Sequence, residues 1–287
     1  MPIDAPVSNA VNRLWLPRLS LTACVRGVMA RDTCGVDLSE AQRYNHFPAT
    51  PLCSITWWLT GESLRFDPAD PLGPRWPLPA RTAFAGPHNH PTASWNPGPV
   101  HGMMVVLLPD ALHHLFGLDT SRWVNQIVDA AEVLPPDWLA MCEAVHHAVD
   151  DDARVRLIEE FLDPLWQAAR PAQAGSGQRY GDWAQGLALR AATSGPGRSL
   201  RQMERRIKQW TGQPMRELRG MARAERAFFD AIAAAPEPNW SDLAASGGYA
   251  DQSHLCRETR RVTGFSPGEL SKRILEDEAF WAYRVWG

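Results

Sequence analysis

The chain has 287 residues, 45% of them hydrophobic and 21% charged, with five cysteines and a formal charge of −3. At roughly 100–200 residues per domain that length suggests two domains. The composition excludes a small disulfide scaffold, a disordered chain and a fibrous repeat. The overall charge announces no nucleic-acid partner, although a sum can hide two unlike halves.

The first twenty residues, MPIDAPVSNAVNRLWLPRLS, lack the basic and then apolar pattern of a signal peptide. The longest apolar run, Met103 to Leu108, is far too short for a bilayer. The cysteines (Cys24, Cys34, Cys53, Cys142, Cys256) are irregularly spaced with no CxxC pair, which argues against a disulfide framework or a four-cysteine zinc site. A soluble, cytoplasmic protein is expected, with no membrane partner.

Fourteen of the 24 prolines fall in the first hundred residues, so long helices cannot run there. Between them, short apolar runs at residues 21–29, 53–59 and 100–108 read as strands. After Pro109 the spacing becomes helical over 110–117, 121–134, 137–149 and 153–169, as in Val155, Ile158, Leu162 and Trp166. PAQAGSGQRYG at 171–181 has the composition of a linker, and the chain beyond it reads as wholly helical. From Arg198 to Arg273 there are 14 Arg and Lys against 9 Asp and Glu, a net of +5, which leaves −8 on the remainder.

The basic segment contains an internal repeat at an offset of 52 residues. SLRQMERRIKQWTG from Ser199 aligns with DQSHLCRETRRVTG from Asp251, and Glu217-Leu218 aligns with Glu269-Leu270. Ser199, with Gln202 three residues on, and Asp251 suit helix N-caps; Gly212 and Gly264 suit C-terminal stops. Each helix carries one burying stripe: Met203, Ile207 and Trp210 in the first, Leu255, Thr259 and Val262 in the second. The opposite stripe is polar and basic in both, with Arg201, Arg205 and Lys208 in one and Ser253, Arg257 and Arg260 in the other. Glu204 is placed either to accept from cytosine or, the favoured reading, to pair with Lys208 at i+4. Each is preceded by a shorter helix and a glycine turn: Trp183 to Thr193 before Gly195-Pro196-Gly197, and Trp240 to Ala245, capped by Asn239 or Ser241, before Gly247-Gly248. Helix, turn, helix is a DNA-binding pattern. A helix over Pro214 to Ala235 would span about 30 Å, near the 34 Å of one DNA turn between two recognition helices.

With Leu243-Ala244, Gly248-Tyr249, Ser253-His254-Leu255, Arg257, Arg260-Arg261, Gly264 and Ser266-Pro267 in register, residues 183 to 274 resemble the two-unit DNA-binding domain of AraC/XylS-type transcriptional regulators. Thr259 departs from the aromatic usual there, and Gln213-Pro214 from the usual Ser-Pro. A buried Thr can bond its hydroxyl to the preceding turn. Residues 100–134 are similar to the end of the β-rich sensory domain of some such regulators. The implied fold is an α+β two-domain chain: a β-rich, cupin-like barrel with helical additions over 1–170, a linker at 171–182, and an all-α domain of two helix-turn-helix units joined by a long helix over 183–287. The implied function is sequence-specific regulation of transcription, with double-stranded DNA, RNA polymerase, a small-molecule effector and a second copy of the chain as partners.

Base edges are assigned to Arg201, Gln202, Arg205, Gln252, Ser253 and Arg257, whose side chains present donors to guanine or adenine. Phosphates are assigned to Arg206, Lys208, Arg260 and Arg261. In the N-terminal half, aromatic residues either fill a core or line a pocket; the effector candidates are Trp57, Trp58, Trp95 and His101. His88-Asn-His90 lacks the glutamate that cupin metal motifs place after it, so a polar loop and no metal or cofactor are expected. His113-His114 and His146-His147 read as surface residues. No G-x-S-x-G elbow, phosphate loop or H-E-x-x-H pair points to catalysis. Two alternatives stay open: an N-terminal domain that only dimerises, and a β-barrel enzyme tethered to DNA.

Overall fold

The computed structural model describes residues 10–172, 179–194, 199–234 and 238–286. The linker's centre and the Gly195-Pro196-Gly197 turn therefore lie outside the described residues. Among the described residues, ten strands form two antiparallel sheets. They are β1 (Val11–Trp15), β2 (Val25–Asp32), β3 (Tyr44–Phe47), β4 (Cys53–Thr60), β5 (Leu64–Phe66), β6 (Trp76–Pro77), β7 (Thr82–Ala85), β8 (Thr92–Trp95), β9 (His101–Leu107) and β10 (Ile127–Asp129). One sheet runs β1-β2-β9-β4-β7-β10 and the other β3-β8-β5-β6. The three runs expected as strands are β2, β4 and β9, and β9 lies between the other two.

Side-chain alternation makes the six-stranded sheet a partition. Ile55, Phe84 and Val105 are in register and share one face with Val28, Trp57 and Leu107. That face packs on helices α1 (Pro109–Phe116), α2 (Pro136–His147) and α3 (Asp151–Ala169), whose Leu112, Val145 and Ile158 are fully buried. The other face carries Ser54, Thr56, Ala83, Ala85, Gly102 and Met104, mostly small groups that leave space between the two sheets.

The expected helix over 121–134 is not formed. Residues 120–122 and 130–132 are single 3₁₀ turns flanking β10, which pairs with β7. Asn125 adopts a left-handed φ of 61°, which a continuous helix cannot contain, and Gln126 accepts a hydrogen bond from the Gly86 N–H.

The C-terminal part comprises α4 (Tyr180–Thr193), α5 (Leu200–Thr211), α6 (Met215–Ala233), α7 (Trp240–Ser246), α8 (Gln252–Thr263), α9 (Pro267–Glu276) and α10 (Trp281–Trp286). Its core is continuous with that of the sheets: Trp183, Leu187, Ile207, Trp210 and Trp281 belong to the same buried cluster as Ile55 and Phe84. The segment after α9 turns back onto the sheets. Trp281 donates from Nε1 to Asn45 Oδ1 at 2.9 Å, Arg31 pairs with Glu278 at 3.0 Å, and the His46 ring stacks on Phe280. No described helix is long and apolar enough to cross a membrane.

Candidate DNA interface and effector cavity

The caps read from sequence set both recognition-type helices. Ser199 Oγ accepts from the Gln202 N–H and the Gln202 side chain returns to the Ser199 N–H, a complete capping box. Asp251 accepts from the His254 N–H at 2.6 Å, and Asn239 caps α7 through the Ser241 and Asp242 N–H groups. Gly212 and Gly264 end α5 and α8 at φ of 73° and 86°, where a glycine has no Cβ to strain. The Thr259 hydroxyl donates to the Leu255 carbonyl at 2.9 Å, which satisfies the residue that replaces an aromatic.

On α5 the outward stripe is Arg201, Arg205 and Lys208, all exposed; on α8 it is Gln252, Ser253, Arg257 and Arg260, also exposed. The remaining assigned contacts are held within the protein. Gln202 serves the capping box, Arg206 donates to the Ala191 carbonyl at 2.7 Å, and Arg261 pairs with Glu258 and Glu217. Glu204 does not pair with Lys208. It accepts from the Met215 N–H at 3.4 Å and so covers the N-terminus of α6.

Behind this surface the space between the sheets opens into a cavity of about 1290 Å³. The sheets supply walls at Ser54, Thr56, Phe66 and Met104. Phe228 and Ile232 of α6, Thr259 and Val262 of α8, and Ile274 of α9 supply the rest. Arg26 and Glu225 face each other at its edge, 2.9 Å apart and about nine-tenths buried. Glu225 also accepts from the Tyr180 N–H at 2.6 Å, and burial raises its carboxyl above the usual range despite Arg26. His88 lies in the wall, its Nδ1 donating to the Gly86 carbonyl; burial holds its pKa down at about 4, so it is neutral at pH 7. Of the four effector candidates only Trp58 lines the cavity. Trp57 points to the opposite face of β4, into the helix-packed core. Trp95 abuts the Arg75 guanidinium, and His101 pairs with Asp151 at 3.0 Å. Alternation along β4 separates Trp57 from Trp58, and spacing alone does not say which of the two faces inward.

Residues 196–273 match the sequence family described as "Helix-turn-helix domain". This segment is a helix-turn-helix domain. No curated protein matched the chain significantly in sequence. Among solved structures the chain aligns with ToxT from Vibrio cholerae. Apo ToxT K231A of strain SCE256 gives a TM-score of 0.39 at 10% identity, covering 86% of this chain and 96% of that one. ToxT of strain O395 gives 0.36 at 8% over 92% and 97%, and ToxT with an unsaturated fatty acid bound gives 0.33 at 10% over 79% and 94%.

The helix-turn-helix domain is docked onto the sheet-bearing part through both units. At the first, the Thr120 hydroxyl donates to the Trp210 carbonyl, and a Cβ on Gly212 would sit 2.6 Å from Val124 Cγ2. His113 and His114, expected on the surface, instead flank Trp210; His146, likewise expected outside, bonds the Thr82 hydroxyl. In the helix preceding that unit, Trp183 and Arg190 both donate to Asp110 of α1. At the second unit, the Ala49 N–H donates to the Val262 carbonyl at 2.7 Å, in the last turn of α8. Among the described residues no group of three or more His, Cys, Asp or Glu is arranged to hold a metal.

Proposed function

We propose that this chain is a sequence-specific DNA-binding transcriptional regulator whose affinity for DNA is set by a small molecule held in the cavity. The observation that carries the reading is that one cavity is walled both by the sheets and by α6 and α8 of the helix-turn-helix domain. A ligand filling it therefore touches the helix joining the two units and the second recognition helix directly. Such a ligand shifts the population competent for DNA by its differential affinity for the two arrangements.

For function we divide the chain into a sensory part over 1–170, a linker at 171–182 and a DNA-binding part over 183–287. Arg201, Arg205, Gln252, Ser253 and Arg257 are proposed to read base edges, with Lys208 and Arg260 on phosphates. Their exposure on the outward faces of α5 and α8 supports that assignment. Gln202, Arg206 and Arg261 would have to leave their present bonds to join them. RNA polymerase and a second copy of the chain are proposed as further partners on the AraC/XylS resemblance alone. The reading is tested by selecting DNA from a random pool with the full-length protein and measuring affinity for the selected sequence against salt. Several phosphate contacts predict a steep fall in affinity as salt rises, and failure to enrich any sequence would overturn the proposal.

A further inference from the structure

The four-stranded sheet carries one cross-strand row that faces the cavity: Asn45 on β3, Ser94 on β8, Arg65 on β5 and Trp76 on β6, each directly opposite the next. Residues directly opposite on one face are within contact reach of one another. The row is unusual in its charge. Elsewhere on the cavity wall Arg26 pairs with Glu225, and Arg31 and Arg284 both pair with Glu278. Arg65 makes no hydrogen bond or ion pair among the described residues, and its Nε is buried without an acceptor. Asp67, two residues on, turns one carboxylate oxygen to the Ala69 N–H instead.

The neighbours of Arg65 are suited to a guest. Ser94 Oγ accepts from Asn45 Nδ2 at 3.3 Å, which leaves its own O–H free to donate. Trp76 presents an aromatic surface that is 47% exposed. His88, on the same wall, has committed Nδ1–H to a backbone carbonyl, so its Nε2 offers a lone pair rather than a second charge. Arg65 is half-buried, with its Nε the buried atom; an N–H buried without an acceptor is costly, and the planar guanidinium fork matches a carboxylate.

Resting on the reading of the cavity as the effector site, we infer that this row is its anchoring subsite and that the ligand is an organic monoanion, a carboxylate on a flat apolar body. The carboxylate accepts from the Arg65 fork and the Ser94 hydroxyl, and Trp76 lies against the body. Among the described residues Arg65 is the one arginine or lysine of the cavity wall without an ion pair, which matches a single negative charge; a phosphate dianion would be left half compensated.

The test uses full-length protein and three probes of one shape: biphenyl-4-carboxylate, its primary amide and its methyl ester, titrated calorimetrically. The carboxylate is expected to bind at least about tenfold tighter than the amide and the ester, as a charge-assisted fork requires. Arg65→Gln should abolish that preference while the ester's affinity stays within about twofold, and Arg65→Lys should retain only part of it. A melting temperature for each variant separates misfolding from loss of the anchor. Equal affinity for the three probes, no binding by any of them, or a preference surviving in folded Arg65→Gln would overturn the inference. If the carboxylate binds through Arg65 but leaves affinity for the selected DNA unchanged, the subsite stands and the effector reading falls.

Discussion

Asp110 offers a sharp test of how the helix-turn-helix domain is fastened. It lies in the first turn of α1, is 2% exposed, and accepts from Trp183 Nε1 at 2.8 Å and from the guanidinium of Arg190, itself 6% exposed. Asp110→Ala leaves a buried cation uncompensated and an indole N–H unpaired. Breaking a buried pair in this way costs about 3–5 kcal/mol, with the orphaned indole donor contained in that figure rather than added to it. Asp110→Asn keeps an acceptor for Trp183 and removes only the charge, so it should fall between wild type and Asp110→Ala. Replacing both ends, Asp110→Ala with Arg190→Met, removes the buried charges together and should recover most of the loss. Urea unfolding followed by tryptophan fluorescence measures all four proteins, with the slope checked for constancy. A cost below about 1 kcal/mol for Asp110→Ala, or a double variant no better than the single, would refute the claim that this pair carries the docking.

Two further outcomes test the remaining contacts. Trp281→Phe removes the donor to Asn45 Oδ1 and leaves that buried oxygen unsatisfied, so unfolding should cost about 1–3 kcal/mol less than in wild type; an unchanged value would mean that the return of the C-terminal segment does not rest on this bond. His46 and His88 have pKa values lowered from 6.5 to about 4, chiefly by burial. The unfolded chain therefore binds their protons more readily than the folded one. Their contribution is intact above about pH 6.5 and lost as pH falls towards 4, by about 3 kcal/mol for the nearly buried His88. His88→Asn should flatten part of that decline in a pH series of urea midpoints, and a decline of unaltered steepness would contradict the assignment.

The C-terminal helices were legible because their signals are local. Ser199, Asp251 and Asn239 cap where a side-chain oxygen can reach an N–H two or three residues away, and Gly212 and Gly264 stop helices through their own φ. The sheets were only partly legible. A strand announces itself when one face is apolar, and β4 and β9 qualify through Ile55, Trp57, Val105 and Leu107. Strands such as β5, β6 and β10 are two or three residues long and carry no period. The 121–134 segment misled because Val124 and Val128 stand four residues apart like a helical pair, although Val128 lies in β10 and the single turns lie on either side of that strand. Of the cavity wall the effector candidates contained Trp58 alone: small residues such as Ser54, Ala83 and Gly102 enclose the space only once register aligns them. Likewise, nothing in the spacing of Arg206 and Arg261 reveals that Ala191, Glu217 and Glu258 already hold them.

The central claim is that α5 and α8 read DNA through their outward arginines, and one measurement bears on it most directly. Fluorescence anisotropy would compare wild type, Arg205→Ala and Arg257→Ala on the selected sequence and on a scrambled duplex of equal length. Each substitution should weaken specific binding by about 1–3 kcal/mol and leave scrambled binding far less affected, because base-edge contacts specify while phosphate contacts only position. Unchanged affinity for the selected sequence in both variants would contradict the account.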